Sequence, residues 1–199
     1  MDITLPFILE VTAAIAGFVC VFLQTRENVW AWPAGILSVA LYAYIFRESS
    51  LYSDMILNSI FVVLNIYGWW NWLQRGPDQE SIKVTRLTKQ EIITWTLVII
   101  FGTLGWGYIM DSQTDASFAY GDAFTTAASL VAQYLLARKV LENWPIWIIA
   151  NIVSIFIYTQ KELYPTTILF MGYFVLAILG YITWKRTLEG NITSTGLSD

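Results

Sequence analysis

The sequence predicts an all-α integral membrane protein of seven transmembrane helices, arranged as two parallel three-helix bundles joined by a single linker helix. Three observations carry that expectation. Apolar residues make up 56% of the 199 and charged residues only 13%, about half the charge of an ordinary soluble domain. Seven apolar segments are long enough to cross about 30 Å of hydrocarbon at 1.5 Å per residue. The chain also matches itself without a gap at an offset of 112 residues.

The spans are expected at 6–24, 29–46, 52–73, 92–111, 118–137, 141–159 and 163–184. No basic segment precedes the first run, which is therefore expected to be a retained span rather than a cleaved signal. Connections are short except 74–91, where Gly76-Pro77-Asp78 signals a turn. The segment from Thr187 is rich in Ser, Thr and Gly and reads as a frayed tail. The domain boundaries that follow are 1–74 for the first bundle, 75–117 for a loop and linker helix, 118–186 for the second bundle and 187–199 for a tail.

Orientation follows from the basic residues. One side holds only Arg47 and Lys161. The other holds Arg26, Arg75, Lys83, Arg86, Lys89, Arg138, Lys139, Lys185 and Arg186. The amino terminus is thus expected outside and the carboxyl terminus in the cytoplasm. Trp30, Trp32, Trp72, Trp144 and Trp184 then fall near the inner interface, where an aromatic belt is expected.

At the 112-residue offset, Trp32-Pro33 falls on Trp144-Pro145, Leu51-Tyr52 on Leu163-Tyr164, Gly68 on Gly180 and Trp72 on Trp184. Glu10 falls on Asp122 and Arg26 on Arg138. Apolar composition alone would scatter Leu and Ile coincidences but would not align these pairs. Spans one to three repeat as five to seven, and span four reverses the direction so that the repeats run parallel. Parallel repeats suggest a pathway at their interface. The plainer alternative is a duplicated bundle that anchors something, although the chain holds no soluble domain to anchor.

Polar groups inside a span are costly unless they face a partner or a cavity. In span six, Trp144, Trp147, Asn151, Ser154 and Tyr158 step by three, four, three and four, which makes one helix face. Asp54, Asn58 and Asn65 share a face in span three, and Asp122, Thr126, Ser129 and Gln133 do so in span five. Each has a bland reading, since Asn and Ser can bond neighbouring helices for about 0.6–2 kcal/mol. Glu10, Asp54 and Asp122 lie close to the outer end and are expected to reach water there. Trp147 and Asn151 sit deeper, one turn apart. An indole offers a stacking surface and an amide offers a donor and an acceptor, so the face suits a flat polar molecule rather than a bare ion.

Other chemistry finds little support. The chain has no histidine and a single cysteine, Cys20, which excludes histidine metal sites and triads as well as internal disulfides. No Walker-type loop, nucleophile with a base, or metal-spaced carboxylate cluster is present, so an enzyme is not expected and no cofactor is implied. Nucleic acid is not an expected partner, and a sensor would need an output domain larger than 74–91.

The stretch Arg138-Lys139, Glu142-Asn143-Trp144-Pro145-Ile146-Trp147 and Asn151, continuing to Tyr158, Leu163-Tyr164, Gly180 and Trp184, resembles the PnuC family of nicotinamide riboside transporters. The resemblance covers essentially the whole chain, including Leu51-Tyr52 and Tyr67-Gly68-Trp69. It implies a fold related to the SWEET sugar transporters, a homotrimer in the lipid bilayer of a bacterial inner membrane, and facilitated diffusion of nicotinamide riboside. A separate cytoplasmic kinase would trap the substrate by phosphorylation. By similarity, Trp144, Trp147 and Asn151 would line the site, with Gln133, Asn58 and Asn65 as further candidates. The residues alone leave thiamine, riboflavin, a nucleoside or a sugar open as substrates.

Overall fold

A computed structural model describes residues 4–74, 82–113 and 117–195. The expected Gly76-Pro77-Asp78 turn lies outside the described residues. Among the described residues are seven α-helices: α1 (Thr4–Thr25), α2 (Ala31–Glu48), α3 (Tyr52–Leu73), α4 (Lys89–Gln113), α5 (Ala119–Ala137), α6 (Asn143–Gln160) and α7 (Tyr164–Thr195). Each follows an expected apolar run, with ends displaced by a few residues. The exception is α7, which continues through the expected tail from Thr187 to Thr195. Leu188 and Glu189 continue the helix past Arg186, and Lys185 and Glu189 pair one turn apart at 3.9 Å.

Among the described residues, three stretches are long and apolar enough to cross a membrane on their own: Phe7–Thr25, Lys89–Gln113 and Tyr164–Gly190. The other four helices are diluted by Ser38, Asn58, Asn65, Gln133, Asn151 and Ser154, several of them buried in protein. Exposed apolar side chains cover α1 and α4, among them Phe7, Ile15 and Phe18, and Ile93, Phe101 and Leu104. In a soluble fold such surfaces would be a liability; lipid is the solvent that suits them.

The chain divides into two compact units, Met1–Ile82 and Lys83–Asp199. In the first, α2 packs against both α1 and α3. The buried Ser38 hydroxyl donates across to the Ala13 carbonyl at 2.7 Å, pinning α2 to α1. In the second, α5 packs against α4 and α6, and α6 against α7.

The repeat is written into the internal geometry of each unit. Helices α1 and α5 both end on a non-glycine residue in the left-handed region, Glu27 at φ 54° and Lys139 at φ 54°. Helices α2 and α6 end likewise on Ser50 at 60° and Glu162 at 57°. All four positions fall in register at the same offset. Each closes with the six-to-one bond of a Schellman motif. Asn28 N–H donates to the Leu23 carbonyl and Val140 N–H to that of Leu135, both at 3.0 Å. Leu51 donates to Phe46 at 2.8 Å and Leu163 to Tyr158 at 2.9 Å.

The expected aromatic belt is corrected at four positions. Trp32, Trp72, Trp144 and Trp184 are 0%, 7%, 1% and 0% exposed, and of the five only Trp30 stands free. Trp32 lies edge-on to Trp72, with centroids 5.2 Å apart and planes at 84°, and Trp144 to Trp184 at 5.4 Å and 89°. The reason is a glycine one helix away. Any Cβ on Gly68 would strike the Trp32 ring, and one on Gly180 would lie 2.6 Å from Trp144 ring atoms. The indoles therefore pack onto bare backbone instead of facing lipid.

The second unit carries one further tie. Before α4, Thr85 forms a parallel bridge to Val140 in the α5–α6 turn. Its N–H donates to the Lys139 carbonyl at 3.0 Å, and its carbonyl accepts from Leu141 at 2.9 Å. The Glu142 carboxylate accepts the Leu87 N–H at 3.0 Å, and Leu87, Trp95 and Ile99 pack on Val131, Leu135 and Val140. Helix α4 itself begins with a reciprocal cap between Thr88 and Glu91.

Candidate substrate site

Helix α6 starts at the end of the α5–α6 turn, and Pro145 sits in its first turn, where no intrahelical N–H is needed. Its buried positions are Asn143, Trp144, Ala150, Asn151, Ser154 and Ile157. The polar stripe expected from the spacing therefore faces protein, with Trp147 and Tyr158 half-buried at its margin. Tyr158 stacks on Phe170 of α7 at 5.1 Å.

Buried polar groups are ordinarily hydrogen-bonded, and leaving one unmet costs about 1–3 kcal/mol. Among the described residues, ten polar or charged ones are buried: Gln24, Thr25, Ser38, Asn65, Gln133, Lys139, Asn143, Asn151, Ser154 and Thr167. Among the described residues, eight have interacting partners. Thr25, Ser38, Asn65 and Thr167 bond backbone carbonyls, Asn143 donates to the Val140 carbonyl at 2.6 Å, and Gln24, Gln133 and Lys139 are engaged as well. The two left are Asn151 and Ser154, 4% and 5% exposed and one turn apart on α6. Neither makes a hydrogen bond with any described residue, yet neither holds a fully enclosed unpartnered atom. Among the described residues those are Trp32 Nε1, Asn143 Oδ1 and Trp144 Nε1, so the Asn151 amide and the Ser154 hydroxyl keep an open side.

The other predicted site residues differ in how their side chains are committed. Trp144 spends its ring on Gly180 and Trp184, and its buried indole N–H is left without a partner. The indole of Trp32 in the first unit is left in the same state. Gln133 is 6% exposed on α5, a helix that packs on α6, and already has a partner. Gln133, Trp144, Trp147 and Asn151 thus belong to neighbouring helices of one unit. Asn58 and Asn65 belong to α3 of the other unit. Asn58 Nδ2 donates back to the Asp54 carbonyl at 2.9 Å and Asn65 Nδ2 to Phe61 at 2.7 Å. Asn65 also fills the space beside Gly35 and Cys20.

At the repeat offset, the counterparts of Trp147, Asn151, Gln133, Asn58 and Asn65 are Gly35, Val39, Val21, Phe170 and Ala177. Packing residues are duplicated and these polar candidates are not. Trp144, matched by Trp32, is the exception. Ser154, whose counterpart is Tyr42, belongs with the unduplicated group and was visible in the sequence only as a member of the stripe. What set it apart was its unbonded hydroxyl.

The acids expected at the outer end stay near solvent. Glu10 and Asp54 are exposed, and Asp122 pairs with Lys161 at 3.1 Å with both side chains about a third exposed. Among the described residues, no group of three His, Cys, Asp or Glu side chains gathers as a metal site would require.

Known proteins match this chain along most of its length. The family model described as "Nicotinamide mononucleotide transporter" matches residues 7–186. The chain is 25% identical to the "Nicotinamide riboside transporter PnuC" of Escherichia coli (strain K12), over 88% of this chain and 84% of that one. It is 23% identical to the "Riboflavin/roseoflavin transporter RibM" of Streptomyces davaonensis, over 73% and 70% respectively. A solved structure described as "Crystal structure of the Vitamin B3 transporter PnuC" has the same fold, with a TM-score of 0.73 at 24% identity, covering 91% of this chain and 82% of that one. The chain belongs to the nicotinamide mononucleotide transporter family and is a multi-pass membrane transporter, not an enzyme.

Proposed function

We propose that the chain carries nicotinamide riboside into the cell across a bacterial inner membrane, by facilitated diffusion and alternating access between two bundles. The observation that carries this reading is Asn151, 4% exposed, with no hydrogen bond to a described residue and one turn from the half-buried Trp147. The nicotinamide ring of the riboside is flat and cationic, which suits an indole face. Its carboxamide is complementary to the Asn151 amide. Gln133 and Trp144 are proposed as further substrate-binding residues of the second unit, and Asn58 and Asn65 as substrate-binding residues of the first.

Charge favours the riboside over the mononucleotide. A phosphate at membrane depth calls for Arg or Lys donors. Trp147, Asn151, Gln133, Asn58 and Asn65 are all neutral. A riboflavin-type substrate is the second reading, favoured by the likeness to RibM, since that molecule too is flat and hydroxylated.

The proposed assembly is a homotrimer of protomers with two parallel three-helix bundles and a linker helix in the SWEET-like manner. The amino terminus would lie outside and the carboxyl terminus in the cytoplasm, as the basic residues indicate. The proposed domain boundaries are those expected from the sequence. Diffusion alone would not accumulate substrate, so a cytoplasmic kinase is the proposed trap.

Purified protein in liposomes tests this directly. Labelled nicotinamide riboside should enter until inside and outside concentrations match, with no response to an imposed pH or sodium gradient. Accumulation driven by either gradient would overturn uncoupled transport. Uptake of riboflavin without uptake of the riboside would move the substrate to the second reading.

A further inference from the structure

We infer that Ser154 is a substrate-binding residue that recognises a hydroxyl of the sugar moiety, an assignment that rests on the nucleoside-type reading above. The Ser154 hydroxyl has no bond to a described residue. A serine within a helix normally returns its hydroxyl to a carbonyl three or four residues back. Ser59, Ser112, Thr103, Thr125 and Thr159 all do so here, at 2.7 to 3.2 Å. The buried Ser38 finds a carbonyl on the next helix instead. Ser154 does neither among the described residues, although it is only 5% exposed. Its Oγ is not among the enclosed atoms that lack a partner, so the hydroxyl of this largely buried residue keeps an open side from which a ligand can be met.

Position says what that partner is. Trp147, Asn151 and Ser154 lie at successive turns of α6, four and then three residues apart. From Trp147 to Ser154 the helix rises about 10 Å, the length scale of a base joined to a pentose. The order along the face is aromatic ring, amide, hydroxyl. In nicotinamide riboside the ring bears both the carboxamide and the pentose as separate substituents. A ligand stacked by its ring at Trp147 therefore directs both along the face, the shorter carboxamide to Asn151 and the longer pentose to Ser154. A serine hydroxyl both donates and accepts, which fits a sugar hydroxyl better than it fits a charge. The repeat counterparts Gly35, Val39 and Tyr42 offer no such sequence.

The test is calorimetry on the detergent-solubilised full chain and on Ser154→Ala, with nicotinamide riboside and its 2′-, 3′- and 5′-deoxy analogues. The unaltered chain should lose about fivefold in affinity for one of the analogues, the scale of one neutral hydrogen bond. Ser154→Ala should lose about the same for the riboside itself and nothing more for that analogue. If alanine lowers the thermal midpoint, Ser154→Cys, close in size and a weak hydrogen-bonder, replaces it. Riboside affinity unchanged by both substitutions, or unchanged discrimination among the analogues, overturns the assignment of Ser154. Failure of the unaltered chain to bind the riboside at all would instead defeat the substrate reading on which the assignment rests.

Discussion

The Trp144 ring occupies the space that a side chain on residue 180 would need, so close that a Cβ there would fall 2.6 Å from three of its atoms. Trp32 stands in the same relation to Gly68. The two contacts are the centre of each half, and each is finished by an edge-on tryptophan. Replacing Gly180 or Gly68 with Ala gains about 0.5–1 kcal/mol in helix propensity but overpacks an indole for about 1–3 kcal/mol. Overpacking wins. Both substitutions should lower the thermal midpoint in detergent by comparable amounts. A rise at either site would mean that the ring can move aside.

Trp147 and Trp72 should separate binding from stability. Trp72 is 7% exposed and edge-on to Trp32, so Trp72→Ala should cost about 3–5 kcal/mol of folding stability and reduce the yield of folded protein. Trp147 is half-buried at the edge of the polar stripe. Trp147→Ala should weaken riboside binding about tenfold or more while the midpoint moves little. Equal effects on affinity would contradict the placement of Trp147 at the substrate.

Glu142 sits at the start of α6 yet gives its carboxylate to the Leu87 N–H, 55 residues back along the chain. Glu142→Ala should destabilise the fold by about 1–2 kcal/mol without altering the affinity for riboside. Glu142→Gln, which keeps an acceptor, should recover most of the loss in a thermal melt. Loss of affinity with unchanged stability would mean that the carboxylate serves the substrate.

The Asp122–Lys161 pair joins the start of α5 to the turn after α6 at 3.1 Å. Both side chains are about a third exposed, and exposed ion pairs contribute about 0–1 kcal/mol. Lys161→Ala should therefore shift the midpoint by no more than a few degrees, and less in high salt. A large salt-independent loss would assign the pair a buried structural role.

The helices were legible because long apolar runs between polar turns leave little choice of element, and α3 begins and ends where its run does. The repeat was legible too, down to Trp-Pro and Gly-x-x-x-Trp, and the matched left-handed turns at Glu27 and Lys139 are its backbone expression. The burial of Trp32, Trp72, Trp144 and Trp184 was not. A tryptophan near the end of a span satisfies either lipid or a glycine on another helix, and spacing alone does not choose. The recurrence of Gly68 and Gly180 at a fixed distance from each Trp-Pro was the available signal. The Thr85–Val140 bridge was out of reach, since it is made by backbone groups with no side-chain signature. Asn151 was singled out from depth and spacing. That its amide and the Ser154 hydroxyl lack partners required knowing what every other buried polar group does.

Asn151 decides the account. Calorimetric titration of nicotinamide riboside into the purified chain and into Asn151→Leu measures whether that unmet amide binds substrate. The unaltered chain should bind the riboside more tightly than the mononucleotide, and Asn151→Leu should bind neither while keeping its thermal midpoint and oligomeric state. Riboside binding that survives in a folded Asn151→Leu protein would contradict the account.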